Sequence, residues 1–147
     1  MWGIKSWDDK HARNRNTTPM LARAIRIFAL LAAAGSLGLM VHEGDFSSPE
    51  QMVAAVAFAC WIALPYVLAW FAAGRLVGHI FALLVLGAGL IAATGFGYFI
   101  YASAFIFTEK PDAQAGLAFL AVPLYQLGAV LLATALAFVA KAVSKRR

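Results

Sequence analysis

The chain is expected to be an all-α integral membrane protein, with four transmembrane helices in an antiparallel bundle and both termini on the cytoplasmic side. Three observations lead there. First, 63% of its 147 residues are hydrophobic and only 13% are charged, against about 45–50% and about 25% in a soluble domain. Second, the apolar residues gather in four long stretches separated by short polar connections. Third, eleven of the twelve Lys and Arg residues fall before or within the start of the first stretch, between the second and third, or after the fourth. Basic residues near membrane spans stay cytoplasmic, so this alternation sets the orientation.

The charge balance follows the same alternation. The segments assigned to the cytoplasm carry eleven basic residues against Asp8 and Asp9, a net +9. The two opposite connections carry Lys110 against five acids, a net −4, and together they give the formal +5. The basic excess therefore reads as topogenic, with attraction for anionic headgroups, and not as a nucleic-acid surface. Lipid is the expected partner, and nucleic acid is not.

Residues 1–18 read as a basic cytoplasmic tail, with Trp2 and Trp7 placed to meet the headgroup boundary. Thr17-Thr18-Pro19 reads as a helix start, a capping threonine followed by proline in the first turn. The transmembrane domain is assigned to residues 19–140. Its first span covers about Leu21–Val41, and the long side chains of Arg23 and Arg26 reach back to the interface. The run Leu31–Ser36 resembles the end of a signal peptide; three further spans argue for a retained anchor.

Ser47-Ser48-Pro49-Glu50 supplies a cap for the second span, about Met52–Ala73. Gly74-Arg75-Leu76 is a short turn. The third stretch carries no charge for 33 residues, Leu76 to Thr108. As one helix it would be about 50 Å long, against about 30 Å of hydrocarbon. It has to tilt, project or break, and its aromatic outer third (Phe96, Tyr98, Phe99, Tyr101, Phe105, Phe107) favours projection against another protein, over residues 76–107. Glu109–Asp112 is a tight connection, with the Asp112 carboxylate suited to a helix start. The fourth span covers about Ala113–Ala140, before the basic tail 141–147. Short connections make an antiparallel bundle the simplest arrangement.

Few residues carry chemistry. No ionisable side chain lies in the middle of a span, where it would mark a proton or ion route. No pair of mid-helix histidines suits haem, and no zinc pattern, phosphate loop or nucleophile–base set occurs, so no cofactor or metal is expected. The single cysteine, Cys60, reads as a small buried residue and cannot form an internal disulfide. His42, Glu43 and Asp45 read as a solvated loop, and His79 as an interfacial histidine.

Pro123-Leu124-Tyr125-Gln126 is the strongest internal candidate. Gln126 is an amide within the fourth span and needs a partner, while Pro123 frees the carbonyl of Phe119 one turn earlier. Pro65-Tyr66 echoes it, freeing the carbonyl of Trp61. Pro65, Tyr66, Pro123, Tyr125 and Gln126 are therefore expected either to bond helix to helix or to line a pocket for a headgroup or quinone. Gly89, Ala93 and Gly97 on the third helix, and Ala34 and Gly38 on the first, recur every four residues. Such small faces let backbones approach closely, inside the bundle or against a second protein.

Pro111–Leu117, with Pro123–Gln126 downstream, resembles a signature of small bacterial inner-membrane proteins. The resemblance covers one helix and implies no activity; a bacterial inner-membrane location is expected from the Ala-rich, compact hairpins and the absence of a targeting leader. The expected role is a non-enzymatic accessory or structural subunit that binds a membrane protein or itself. A parallel homo-oligomeric transporter or channel is one alternative; the charge bias strongly opposes dual insertion. A lipid- or quinone-binding protein is the other.

Overall fold

The computed structural model describes residues 4–44, 47–107 and 117–144. Four α-helices dominate it: α1 (Ile4–Glu43), α2 (Pro49–Arg75), α3 (Ile80–Tyr101) and α4 (Ala118–Ser144), with a π-helical segment, Ala102–Ile106, extending α3. Thr17–His42, Pro49–Arg75, Ile80–Phe105 and Ala118–Ser144 are each long and apolar enough to cross a membrane. This supports the fold class at the level of a four-helix, multi-pass membrane protein. Trp2, the acidic loop at Asp45, residues 108–116 with Asp112, and the tail after Ser144 lie outside the described residues.

Each helix turns one stripe inward. On α1 the buried positions are Thr18, Ala22, Ile25, Ala29, Ala32 and Ser36. On α4 they are Val122, Gln126, Val130, Ala133 and Ala137. The steps are of three or four residues, the spacing that keeps one seam facing a neighbouring helix. Most of these residues are small. Many large ones point outward, among them Leu31, Phe71, Phe81, Ile91, Phe96 and Leu132, while α2 and α3 bury Ile62, Tyr66, Leu83, Leu86 and Leu90. Lipid tails are as apolar as leucine, so burial of large side chains is not what draws such helices together. Close backbone approach and hydrogen bonding do that.

Helix α1 packs against α2 and α3, and α4 packs against the same two; α3 and α4 share the most extensive seam. Cross-helix pairs set the register. Arg26 Nε donates to the Trp70 carbonyl at 3.3 Å, and Ser36 meets Tyr66. Trp61 Nε1 donates to the Leu120 carbonyl at 3.2 Å, while Lys141 Nζ donates to the Arg75 carbonyl at 2.7 Å.

The start of α2 matches its sequence signal. Ser48 caps it: its hydroxyl accepts from Gln51 N at 3.3 Å, and the Gln51 side chain accepts from Ser48 N at 3.0 Å. This reciprocal box satisfies two amides that the helix leaves open. Ser48→Ala is expected to weaken this first turn by about 1 kcal/mol. Amide exchange at Gln51 checks it; unchanged protection would mean that the box contributes nothing.

Two boundaries differ from expectation. Helix α1 begins at Ile4, and Pro19 lies inside it, not at its start. No glycine occurs between Ile4 and Gly35 to interrupt it, and Pro19 withdraws only one N–H from the ladder. The whole helix is about 60 Å long, so it exceeds the bilayer core by several turns.

The third stretch breaks instead of projecting as one rod. Gly78 adopts φ +92°, a left-handed conformation that glycine takes without a Cβ penalty. The chain turns there, and α3 starts at Ile80 instead of Leu76. At the other end the helix widens, and Phe107 N bonds the Ala102 carbonyl at 2.9 Å. Ser103 Oγ takes the Phe99 carbonyl at 2.8 Å, a local bond of the kind that competes with the α-helical ladder. The 22 residues of α3 then span about 33 Å, close to the thickness of the hydrocarbon.

Candidate functional site

The inward stripes bring four polar groups into one line across the bundle. Ser36 Oγ on α1 lies 3.2 Å from the Tyr66 hydroxyl on α2. Tyr66 donates to Gln126 Oε1 on α4 at 3.3 Å. Gln126 Nε2 donates to the Ala93 carbonyl on α3 at 3.4 Å. Because the one Tyr66 proton goes to Gln126, the hydrogen between Ser36 and Tyr66 has to come from Ser36. The donors therefore run in one direction, Ser36 to Tyr66 to Gln126 to Ala93, and the chain touches all four helices. Ser36, Tyr66 and Gln126 are all buried, with Gln126 only 3% exposed.

Glycines make room for this line. A Cβ on Gly97 would run into the Gln126 amide and into Val122 Cγ1. A Cβ on Gly89 would collide with the Cβ of Ala133, and one on Gly35 with the Tyr98 hydroxyl. Tyr98 in turn donates to the Ala32 carbonyl at 2.8 Å, one turn of α1 from Ser36. These contacts seat α3 against α1 on one side and α4 on the other.

The two prolines lie alongside. Pro65 and Pro123 are both fully buried. The Trp61–Leu120 bond ties α2 to α4 close to where each proline opens the helical ladder. Tyr125 is turned away from the line and is 64% exposed. It borders a groove of about 400 Å³ between α3 and α4, whose wall also includes Gly89, Ala93 and Gln126.

Of the two small-residue faces, only the one on α3 lies in the helix contacts described above. Ala34 and Gly38 sit on the outside of α1, and a Cβ at Gly38 would meet open space. The side chain of Cys60 is exposed, not buried, on the N-terminal half of α2.

Sequence reasoning passed over Thr94, read Ser36 only as the end of a signal-like run, and assigned Tyr98 and Tyr101 to a projecting aromatic segment, whereas Tyr101 is buried and Tyr98 bonds to α1 within the bundle. The signal for them was their position on the inward stripes, since Ser36 continues the 18-22-25-29-32 series and Thr94, Tyr98 and Tyr101 share a face of α3. Thr94 Oγ1, Tyr101 Oη and Thr134 Oγ1 are buried without a hydrogen-bond partner. The Tyr101 ring instead packs on Phe119, centroids 5.2 Å apart.

A second polar cluster closes the opposite end of the bundle. The Arg26 guanidinium lies 5.3 Å from the Trp70 ring centroid and occupies the space that a side chain at Gly74 would need. A cation there also suits the negative end of the α2 dipole. Among the described residues no group of three or more His, Cys, Asp or Glu side chains could hold a metal ion. The central line is made of neutral donors and acceptors that join the helices to one another.

Comparison with protein-family models, with curated proteins and with solved structures found no match.

Proposed function

We propose that this chain is a non-enzymatic accessory or structural subunit of a membrane complex in a bacterial inner membrane. The observation that carries the reading is the Ser36–Tyr66–Gln126–Ala93 line. It engages the central amide and hydroxyls in helix-to-helix bonds and gives the bundle a rigid cross-brace, as a scaffold requires. The outer face of α1 at Ala34 and Gly38 admits close approach by another helix. The outer half of α2 adds exposed Met52, Val53 and Val56.

The orientation proposed is N-in and C-in, with the helices antiparallel in sequence. Its support is the charge alternation and the cross-helix pairing. Residue numbers rise on α1 as they fall on α2 (26 with 70, 36 with 66), and Tyr66–Gln126 and Arg75–Lys141 rise together. In a Cys60→Ala background, Ser48→Cys is expected to label only from outside the cell, and Ser144→Cys only from the cytoplasm. Labelling of Ser48→Cys from the cytoplasm would sink the topology.

Gentle purification of a tagged chain from its native membrane, followed by native mass spectrometry, tests the role. A stoichiometric membrane-protein partner, or a defined self-assembly, is expected. A monomer whose deletion leaves every membrane complex unchanged would end the reading.

A further inference from the structure

We propose that the seam between α3 and α4 binds one anionic phospholipid, its phosphate at His79 and Ser144 and an acyl chain in the groove beside Gly89. Two cavities lie in line along this seam. The first, about 510 Å³, opens where α3 begins and α4 ends; His79 and Ser144 line it together with Phe81, Ala140 and Val143. The second is the groove of about 400 Å³ bounded by Val85, Gly89, Ala133 and Leu136. Val85 follows Phe81 by one helical turn, and Leu136 precedes Ala140 by one turn, so the second cavity continues the first. Gly89 lies nine residues beyond Ile80, about 14 Å deeper, close to half of the hydrocarbon thickness of about 30 Å. The seam thus offers a polar mouth at one end and an apolar track one leaflet deep, the outline of an amphiphile and not of a second helix.

The mouth is organised and its surroundings are basic. Ser144 Oγ donates to the Lys141 carbonyl at 2.9 Å and lies 3.3 Å from His79 Nδ1. Ser144 Oγ thus bridges the Lys141 carbonyl and Nδ1, which holds the imidazole at the cavity with Nε2 as the atom that donates to a phosphate. Lys141 spans to the Arg75 carbonyl at 2.7 Å, placing an ammonium beside the turn that leads to His79. No Asp or Glu occurs between Glu50 and Glu109 or after Asp112, and Lys145, Arg146 and Arg147 follow Ser144 in the sequence. This local charge favours a lipid with a net negative headgroup over a zwitterionic one. The groove floor is small (Gly89, Ala93, Ala133) and its wall is large (Phe96, Leu132), which suits a flexible hydrocarbon chain.

The site is independent of any accessory role and is tested apart from it. The full-length protein, delipidated in mild detergent, is titrated with phosphatidylglycerol and with phosphatidylcholine of the same chains, and bound lipid is counted by native mass spectrometry. One phosphatidylglycerol is expected to bind, about tenfold more tightly than phosphatidylcholine; His79→Ala removes a hydrogen bond to the phosphate that both lipids carry and is expected to weaken both about tenfold, whereas Lys141→Gln, which removes the ammonium beside the mouth, is expected to lower the preference for phosphatidylglycerol. Leu136→Trp, which fills the groove, is expected to weaken both lipids, whereas Leu84→Trp, on an exposed position outside both cavities, leaves them unchanged. Equal binding of the two lipids, a His79→Ala variant with undiminished affinity for both, or equal loss in Leu136→Trp and Leu84→Trp would overturn the proposal. So would displacement of the lipid by inorganic phosphate at matched concentration, or preferential retention of a neutral quinone.

Discussion

Gly89→Ala is expected to destabilise the bundle by about 1–3 kcal/mol, the usual cost of forcing an extra methyl into a packed interface. The new Cβ would collide with the Ala133 Cβ, and both atoms are fixed to helical backbones. No rotamer can relieve the overlap, so α3 and α4 have to separate along their shared seam. The same reasoning predicts a rescue: Gly89→Ala combined with Ala133→Gly moves the methyl from one helix to the other and is expected to recover most of the loss. Unfolding in mixed micelles, followed by tryptophan fluorescence, measures all three variants. A tolerated single variant, or a double variant worse than the single by the sum of two separate losses, would mean that the helices are not in contact at this point.

How far the sequence reveals this arrangement differs between its parts. The spans are legible because a bilayer imposes a length and an apolar composition that few other environments require. The start of α2 is legible because Ser48, Pro49 and Gln51 act within a single turn. Pro19 misleads, since a proline at the end of a polar segment has the same local pattern whether the helix begins there or passes through. The break before α3 rests on the left-handed turn at Gly78, and glycine in an apolar run carries no mark that separates a turn from a packing position. At the centre, Gln126 stands out because an amide in a span requires a partner. That its partner is Tyr66, and that Ser36 and the Ala93 carbonyl complete the line, follows only when four stripes are set in register. Tyr125 shows the opposite case: adjacent to Gln126 in sequence, it lies about 100° further round the helix and faces outward.

The largest effect on the central line is expected from Gln126→Leu. This variant keeps the bulk of the side chain but removes the acceptor for Tyr66 and the donor to Ala93. Interhelical hydrogen bonds in membrane proteins contribute about 0.6 kcal/mol on average and about 1.7 kcal/mol at most. Loss of two of them, with a branched side chain now set against Gly97, points to a destabilisation of about 1–2 kcal/mol. The carbonyl of Ala93 retains its place in the helical ladder, so the deficit falls on the Tyr66 hydroxyl, buried beside Ser36 and Thr94. Tyr66→Phe removes that hydroxyl as well, and the pair therefore tests connection and not merely damage. If the line is real, the double variant Tyr66→Phe/Gln126→Leu costs less than the two single variants summed, by about 0.6 kcal/mol or more. Strict additivity would show that the two side chains stabilise the bundle separately, and the cross-brace would then be two unrelated contacts.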